Sequence, residues 1–357
     1  MSIITNFKDP SGNDLGSIFM PGSGLGYDTG YRDMSGTDFS QLFMPLGSTH
    51  IPYPYPTNYK ISNGNDLNTI FASANQQPPF VINSSSASTS YIYINGYYLI
   101  TIINTELPST SNLSQYAYIT FNSTINNCNV ICVAGGGGGG SGRSNFNSQA
   151  SGRGGGGGGN YQLNFNPLNL GTYNFYVGNG GSGGRAGTSG NNASSGYQGY
   201  QGYPSYITNS SGTVILQCTG GGGGGVGGTP GTSGSVVIPS GITGNGGTGG
   251  DRNSNGANST SYSTPFSIPE GITSQGVKTS YCGGGGGSTG GANGGASGND
   301  GSGGTAKGSG SKTGQSASLS SYGSGGGGAG NNAAPNISNY SGGSGANGII
   351  YIYFQYP

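Results

Sequence analysis

The chain has 357 residues, of which 81 are glycine; charged residues make up 6%, and ten basic side chains balance ten acidic ones. Ordinary usage is about 7% glycine and about 25% charge, so this composition excludes a basic nucleic-acid binder, which needs clustered Lys and Arg against phosphates, and a charged disordered tail. Glycine does not fall strictly at every third position, which excludes collagen. No apolar stretch is long enough for a membrane-spanning helix, and Met1–Lys8 lacks the basic-then-apolar pattern of a secretory signal.

Residues 1–75 carry three copies of one pattern. Gly12-Asn13-Asp14-Leu15 leads to Ile18-Phe19, Gly36-Thr37-Asp38-Phe39 to Leu42-Phe43, and Gly64-Asn65-Asp66-Leu67 to Ile70-Phe71. An aromatic–basic pair precedes each copy at a fixed offset: Phe7-Lys8, Tyr31-Arg32 and Tyr59-Lys60. Glycine supplies a turn. Asp14, Asp38 and Asp66 then act as caps for one or two helical turns, each accepting a backbone N–H. Leu15, Ile18 and Phe19 stand at i, i+3 and i+4 and share a face; Phe39/Leu42/Phe43 and Leu67/Ile70/Phe71 repeat it. Burying three such side chains gains roughly 4–9 kcal/mol. Ordering some ~15 residues costs more than that, at about 1–2 kcal/mol each for the backbone. The repeats therefore point to contacts outside themselves, and these nine apolar residues are the expected assembly surface. Between the second and third copies, Ile51–Pro56 contains three prolines and reads as an extended spacer.

From residue 76 the texture becomes that of β structure. Phe80–Ile82, Tyr91–Ile94, Tyr97–Ile103, Tyr116–Phe121, Val130–Val133, Gly171–Val177, Val214–Cys218 and Ile349–Phe354 read as strands, with Asn95-Gly96 as a hairpin turn. No useful helical periodicity appears. The terminal strand should close the same sheet system as the early ones, giving a sandwich-like or jelly-roll-like body over 76–357.

Glycine-rich excursions separate the strands at 135–142, 154–159, 178–190, 219–250, 283–310 and 323–348. Glycine loses most entropy on ordering, so these runs must pack to become structured. A polyglycine-II helix offers a route: three residues per turn, no internal hydrogen bonds, and N–H and C=O groups free to pair with neighbouring runs. Tyr197, Tyr200, Tyr203 and Tyr206 repeat every third position and would align on one face, about 9 Å apart. Such a stripe is either a recognition surface for sugars or another chain, or the bundle's own covering.

Catalytic and metal-binding patterns do not assemble. His50 is the one histidine, and Glu106 and Glu270 are the two glutamates. Gly246–Asp251 matches the start of a calcium-binding nonapeptide, but only once. Gly310-Ser-Lys-Thr313 lacks the glycine that a phosphate loop needs before its Lys. Cys128 and Cys132 fall on one side of a strand and cannot easily bridge to each other. Cys132, Cys218 and Cys282 each stand just before a glycine run, as if at equivalent junctions between sheet and bundle. They read as small buried thiols rather than zinc ligands, and neither cofactor nor metal is expected.

Region 78–357 resembles the glycine-rich domain of bacteriophage tail-fibre tips and of fibre-like proteins of giant viruses. The matching residues are Val130–Gly135 opening a run of six glycines, Gly154–Gly159 before Tyr161, Gly171–Gly181, Gly220–Gly225 and Gly345–Tyr353. The resemblance implies a trimeric or filamentous protein that binds host-surface glycans or proteins, without catalytic residues. The expected function is thus a non-enzymatic structural subunit of a viral or extracellular fibre, self-assembling through the 1–75 repeats. The alternative is a receptor-binding adhesin at a fibre tip. Either way the expected partners are further copies of the chain and a host surface, with neither nucleic acid nor membrane insertion. The expected location is the virion surface or an extracellular fibre.

Overall fold

The structure, a computed structural model, describes residues 78–111, 114–141, 155–156, 158–165, 168–186, 197–226, 229–238, 245–251, 255, 257, 268–278, 281–287, 296–297, 301–302, 313–318, 320–329 and 340–356. They belong to one compact unit, Pro78–Pro357. The repeats of 1–75, with Asp14, Asp38, Asp66 and the apolar triplets Leu15/Ile18/Phe19, Phe39/Leu42/Phe43 and Leu67/Ile70/Phe71, lie outside the described residues.

The strands in chain order are β1 (Phe80–Ser85), β2 (Ser88–Ile94), β3 (Tyr97–Ile103), β4 (Gln115–Phe121), β5 (Cys128–Val133), β6 (Asn160–Phe165), β7 (Gly171–Val177), β8 (Ser205–Asn209), β9 (Val214–Cys218), β10 (Val236–Ile238), β11 (Ala296–Ser297), β12 (Gly301–Ser302) and β13 (Ile349–Gln355). Among the described residues one short helix, α1 (Glu270–Thr273), interrupts them. The fold is mostly β. Two antiparallel sheets carry it, ordered β1-β4-β7-β8-β9-β10 and β2-β3-β13-β5-β6, while β11 and β12 pair only with each other.

Alternation builds the first sheet. In β4, Gln115, Ala117, Ile119 and Phe121 are buried while Tyr116, Tyr118 and Thr120 are half-exposed. The inner side chains of both sheets merge into one hydrophobic cluster that includes Phe80, Ile119, Phe121, Phe175, Ile207 and Leu216 from the first sheet and Tyr98, Ile100, Val130, Ile352 and Phe354 from the second. The sheets therefore face each other in a sandwich-like arrangement. The β2–β3 hairpin turns on Asn95 (φ 51°) and Gly96 (φ 82°), both left-handed as a two-residue type I′ turn requires.

The terminal strand does close the sheet system, and it does so from the centre. Strand β13 lies between β3 and β5, pairing Ile349 with both Ile103 and Val133. From Ile349 to Phe354 all six of its side chains are buried. Its unbroken apolar run is what a strand covered on both faces needs. The cover on the outer face is the 268–282 segment, where Ile272 of α1, Val277 and Tyr281 pack on Leu99, Ile131, Val133, Tyr351 and Tyr353.

Candidate functional site

All the main glycine runs root at one end of the sandwich. Runs 134–141, 178–184 and 219–225 leave the ends of β5, β7 and β9; runs 155–159, 197–203, 229–235 and 341–348 lead into the starts of β6, β8, β10 and β13. Buried polar side chains tie these roots together. The Ser205 hydroxyl donates to the Val133 carbonyl at 2.8 Å and accepts from the Gly178 N–H at 3.0 Å. The Asn347 amide donates to the carbonyls of Asn104 and Glu106 and its oxygen accepts from the Gly180 N–H.

Run 134–141 is at the centre, and its bonds have a period of three. N–H groups of Ala134 and Gly137 donate to Gly159 and Gly156; those of Gly135, Gly138 and Ser141 donate to Tyr203, Tyr200 and Tyr197; those of Gly136 and Gly139 donate to Ala346 and Gly343. Its carbonyls serve three other runs. Gly136 and Gly139 accept from Gly181 and Gly184, Gly135 and Gly138 from Gly221 and Gly224, and Gly137 and Gly140 from Gly326 and Ala329. Six neighbouring runs thus surround it. Those that accept its N–H groups descend in number and run back towards the sandwich; those that donate to its carbonyls ascend and run outwards. No bond closes within the run, yet these hydrogen bonds, all between 2.8 and 3.0 Å, use nearly every polar group along it.

Close approach, not turning, is what glycine provides here. None of Gly135–Gly140 or Gly220–Gly225 has a positive φ. Instead, a Cβ on Gly135 or Gly138 would run into the carbonyls of Asn179 and Ser182, one on Gly136 or Gly139 into those of Ser324 and Gly327, and one on Gly137 or Gly140 into those of Gly222 and Gly225. The collisions recur every third residue, in step with the hydrogen bonds.

Run 197–203 forms an edge of this bundle. Gly199 and Gly202 are buried, whereas Gln198 and Gln201 are exposed. Tyr197 is 48% and Tyr200 38% exposed; Tyr203 is half-buried. The three-residue alignment ends there, because Tyr206 is a strand residue of β8, directly opposite Tyr176 and Gln217 in the ladder. Its ring stacks on Tyr176 at 4.4 Å and 14°. Tyr176 in turn neighbours the stacked pair Tyr116–Tyr118. A tyrosine cluster on the outer face of the first sheet therefore continues from the bundle edge. Sequence reading missed it because β8 begins without an apolar run; Tyr116, Tyr118 and Tyr176, at alternate strand positions, carried the signal. A hydrogen bond with Tyr118 and burial push the Tyr176 phenol up to about 12, and burial pushes that of Tyr98 up to about 12 as well.

Ser141 and Gly155, Ala186 and Tyr197, and Ala329 and Tyr340 are the described residues that flank 142–154, 187–196 and 330–339. The sequences between them are polar and include Arg143, Phe146 and Arg153. Among the described residues no group of three His, Cys, Asp or Glu is placed to hold a metal ion, and no helix is long and apolar enough to cross a membrane. All four cysteines are buried, and none is joined in a disulfide.

A search of curated proteins finds no match to this chain. The sequence model of one family, described as a glycine-rich domain, matches residues 110–355. That span reaches from the segment before β4 to the end of β13 and contains every glycine run described above, so the chain belongs to this family of glycine-rich domains.

Proposed function

We propose that the chain is a non-enzymatic structural protein, a subunit of a viral or extracellular fibre, whose glycine runs form a bundle of polyglycine-II helices. The observation that carries the bundle is the period of three in both donors and acceptors of Gly135–Gly140, the residue count of one polyglycine-II turn. A single layer of β strands would pair with two neighbours; this run has six. Such a bundle is stiff because its central backbone is held on all sides, which suits a projecting rod. In this reading the 1–75 repeats join copies into a trimer or filament on a virion surface or in an extracellular fibre. Negative-stain electron microscopy and sedimentation of the full chain test it. A chain starting at Gln76 should sediment as a smaller species than the full chain. Equal assembly of the two would remove the repeats as the joint. For the bundle itself, chemical shifts of 135–140 should report φ and ψ near about −75° and +145°.

A second reading, a receptor-binding adhesin, is favoured by the polar segments whose ends gather at one end of the bundle and by exposed Tyr197 and Tyr200. Tyrosine faces stack on sugar rings and its hydroxyl bonds their polar groups. Binding of the full chain to a glycan array, weakened by Tyr197→Ala with Tyr200→Ala, would support it. Unchanged binding would take the tyrosines out of it.

A further inference from the structure

Three of the four buried thiols stand at the roots of outgoing runs. Cys132 is two residues before run 134–141, Cys218 ends β9 just before 219–225, and Cys282 opens run 282–287 with a left-handed φ of 74°. Cys132 and Cys218 belong to different sheets, yet both point into the shared core. The Cys218 thiol lies 3.5 Å from the Cys132 carbonyl oxygen. Its interaction with the Cys132 side chain, together with burial, holds its pKa well above the usual thiol range.

We infer that Cys132 and Cys218 form a disulfide when the chain folds in the presence of a disulfide oxidant such as oxidised glutathione, clamping the two sheets together at the root of the glycine bundle. The other pairings are worse placed. Cys128 shares a strand face with Cys132, four residues away on extended backbone. Cys282 packs in the cluster on the outer side of the second sheet, with its thiol directed at the Gly159 carbonyl. A bridge needs Cα atoms about 4.4–6.8 Å apart; Cys132 and Cys218 sit on facing strands with the Cys218 thiol 3.5 Å from the Cys132 main chain, which brings the two residues side by side across the sandwich.

The exchange balances with one oxidant. The thiolate of one cysteine attacks oxidised glutathione, forming a mixed disulfide and releasing a glutathione thiolate. The thiolate of the second cysteine then attacks the protein sulfur of that mixed disulfide and expels the second glutathione. Two protein thiols are oxidised, one glutathione disulfide is reduced to two thiols, and the protons from the cysteines end on glutathione. Because both cysteines have no exposure in the folded protein, the oxidant must act while the sheets are closing. Once made, the bond spans 86 residues of sequence, a long loop whose closure restricts the unfolded chain strongly. It would hold the root of the central run against the root of one of its six neighbours. The inference is independent of the fibre and adhesin readings.

The test uses the full chain made in cells with an oxidising and in cells with a reducing cytoplasm, alkylated in denaturant and mapped by mass spectrometry. The expected result is two alkylatable thiols in the oxidised sample, a linked pair of peptides containing Cys132 and Cys218, and an unfolding midpoint several degrees higher that reductant abolishes. Four alkylatable thiols in both samples would overturn it, as would a link through Cys128 or Cys282. Cys218→Ser should leave the remaining thiols fully alkylatable. Should that variant not fold, the peptide map of the unaltered chain still decides.

Discussion

At the scale of single residues, two kinds of glycine coexist, and they should respond differently to alanine. A Cβ on Gly138 would strike the Ser182 carbonyl, which is itself backbone of a neighbouring run and cannot rotate away. Overpacking of this kind costs about 1–3 kcal/mol, and the two hydrogen bonds of Gly138 contribute about 1 kcal/mol each. Gly138→Ala is therefore expected to lose about 3 kcal/mol or more. Gly212 has a φ of 80° with nothing within 4 Å of a built Cβ, so Gly212→Ala should cost only the left-handed strain, about 1–2 kcal/mol. Denaturant unfolding of both variants measures the difference; equal losses would mean that the run can spread. Tyrosine titration is the second test. Burial raises the Tyr98 phenol to about 12, and hydrogen bonding with burial raises that of Tyr176 to about 12, from about 10 when unfolded. A raised pKa means the fold favours the protonated form. Their contribution should be complete below pH about 10 and decline as pH climbs through about 12. Stability followed alongside phenolate absorbance should fall over that window, with less loss in Tyr176→Phe.

At the scale of elements, β13 is the member on which the second sheet depends. Ile352 is fully buried and pairs with Ile100 on one side and Val130 on the other. Ile352→Ala should cost about 2–5 kcal/mol, while Leu107→Ala, at a side chain 81% exposed, should stay within about 0.5 kcal/mol. Thermal unfolding of the pair checks it, and a small effect at Ile352 would mean that the sheet closes without this strand. Much of this was legible in the sequence. The eight apolar or alternating runs read as strands are all strands, and Asn95-Gly96 turns as its residues dictate. Strand β6 carries a strand signal in the strict polar–apolar alternation of Asn160–Phe165, whereas β8 and β10 were not legible, because Ser205–Asn209 mixes polar residues with apolar ones and Val236–Ile238 has three residues. Their partners define them, and partners are a matter of tertiary pairing. The covering of the outer face by Ile272, Val277 and Tyr281 was equally hidden: 268–282 has no period to read. The tyrosine repeat illustrates both outcomes. Tyr197 and Tyr200 are both exposed, but Tyr206 has already passed into β8, where the period of three gives way to two.

At the scale of the whole unit, strand ends at one end of the sandwich fix where seven of the runs begin or end, and the run-to-run hydrogen bonds fix their paths. A residue added inside a run would shift its three-residue register, so every later N–H would face a different neighbour and every later Cα would meet another run's backbone. A residue added where a run has already left the bundle changes neither. The segment between Ser141 and Gly155 begins and ends on runs bound to each other, through Gly137 N–H to Gly156 O. Loop closure grows slowly with length, about 0.6 kcal/mol per doubling. We therefore expect a short Gly-Ser peptide inserted between Phe146 and Asn147 to lower stability by about 1 kcal/mol or less. The same peptide between Gly137 and Gly138 should abolish cooperative unfolding. Paired thermal melts of the two insertions are the measurement. Comparable damage from both would mean that 142–154 is held by the bundle as firmly as the runs are. If only the second insertion is damaging, the bundle is a frame whose far end accepts new sequence, and the Phe146 insertion can be carried into the glycan-binding assay as a folded variant altered only there.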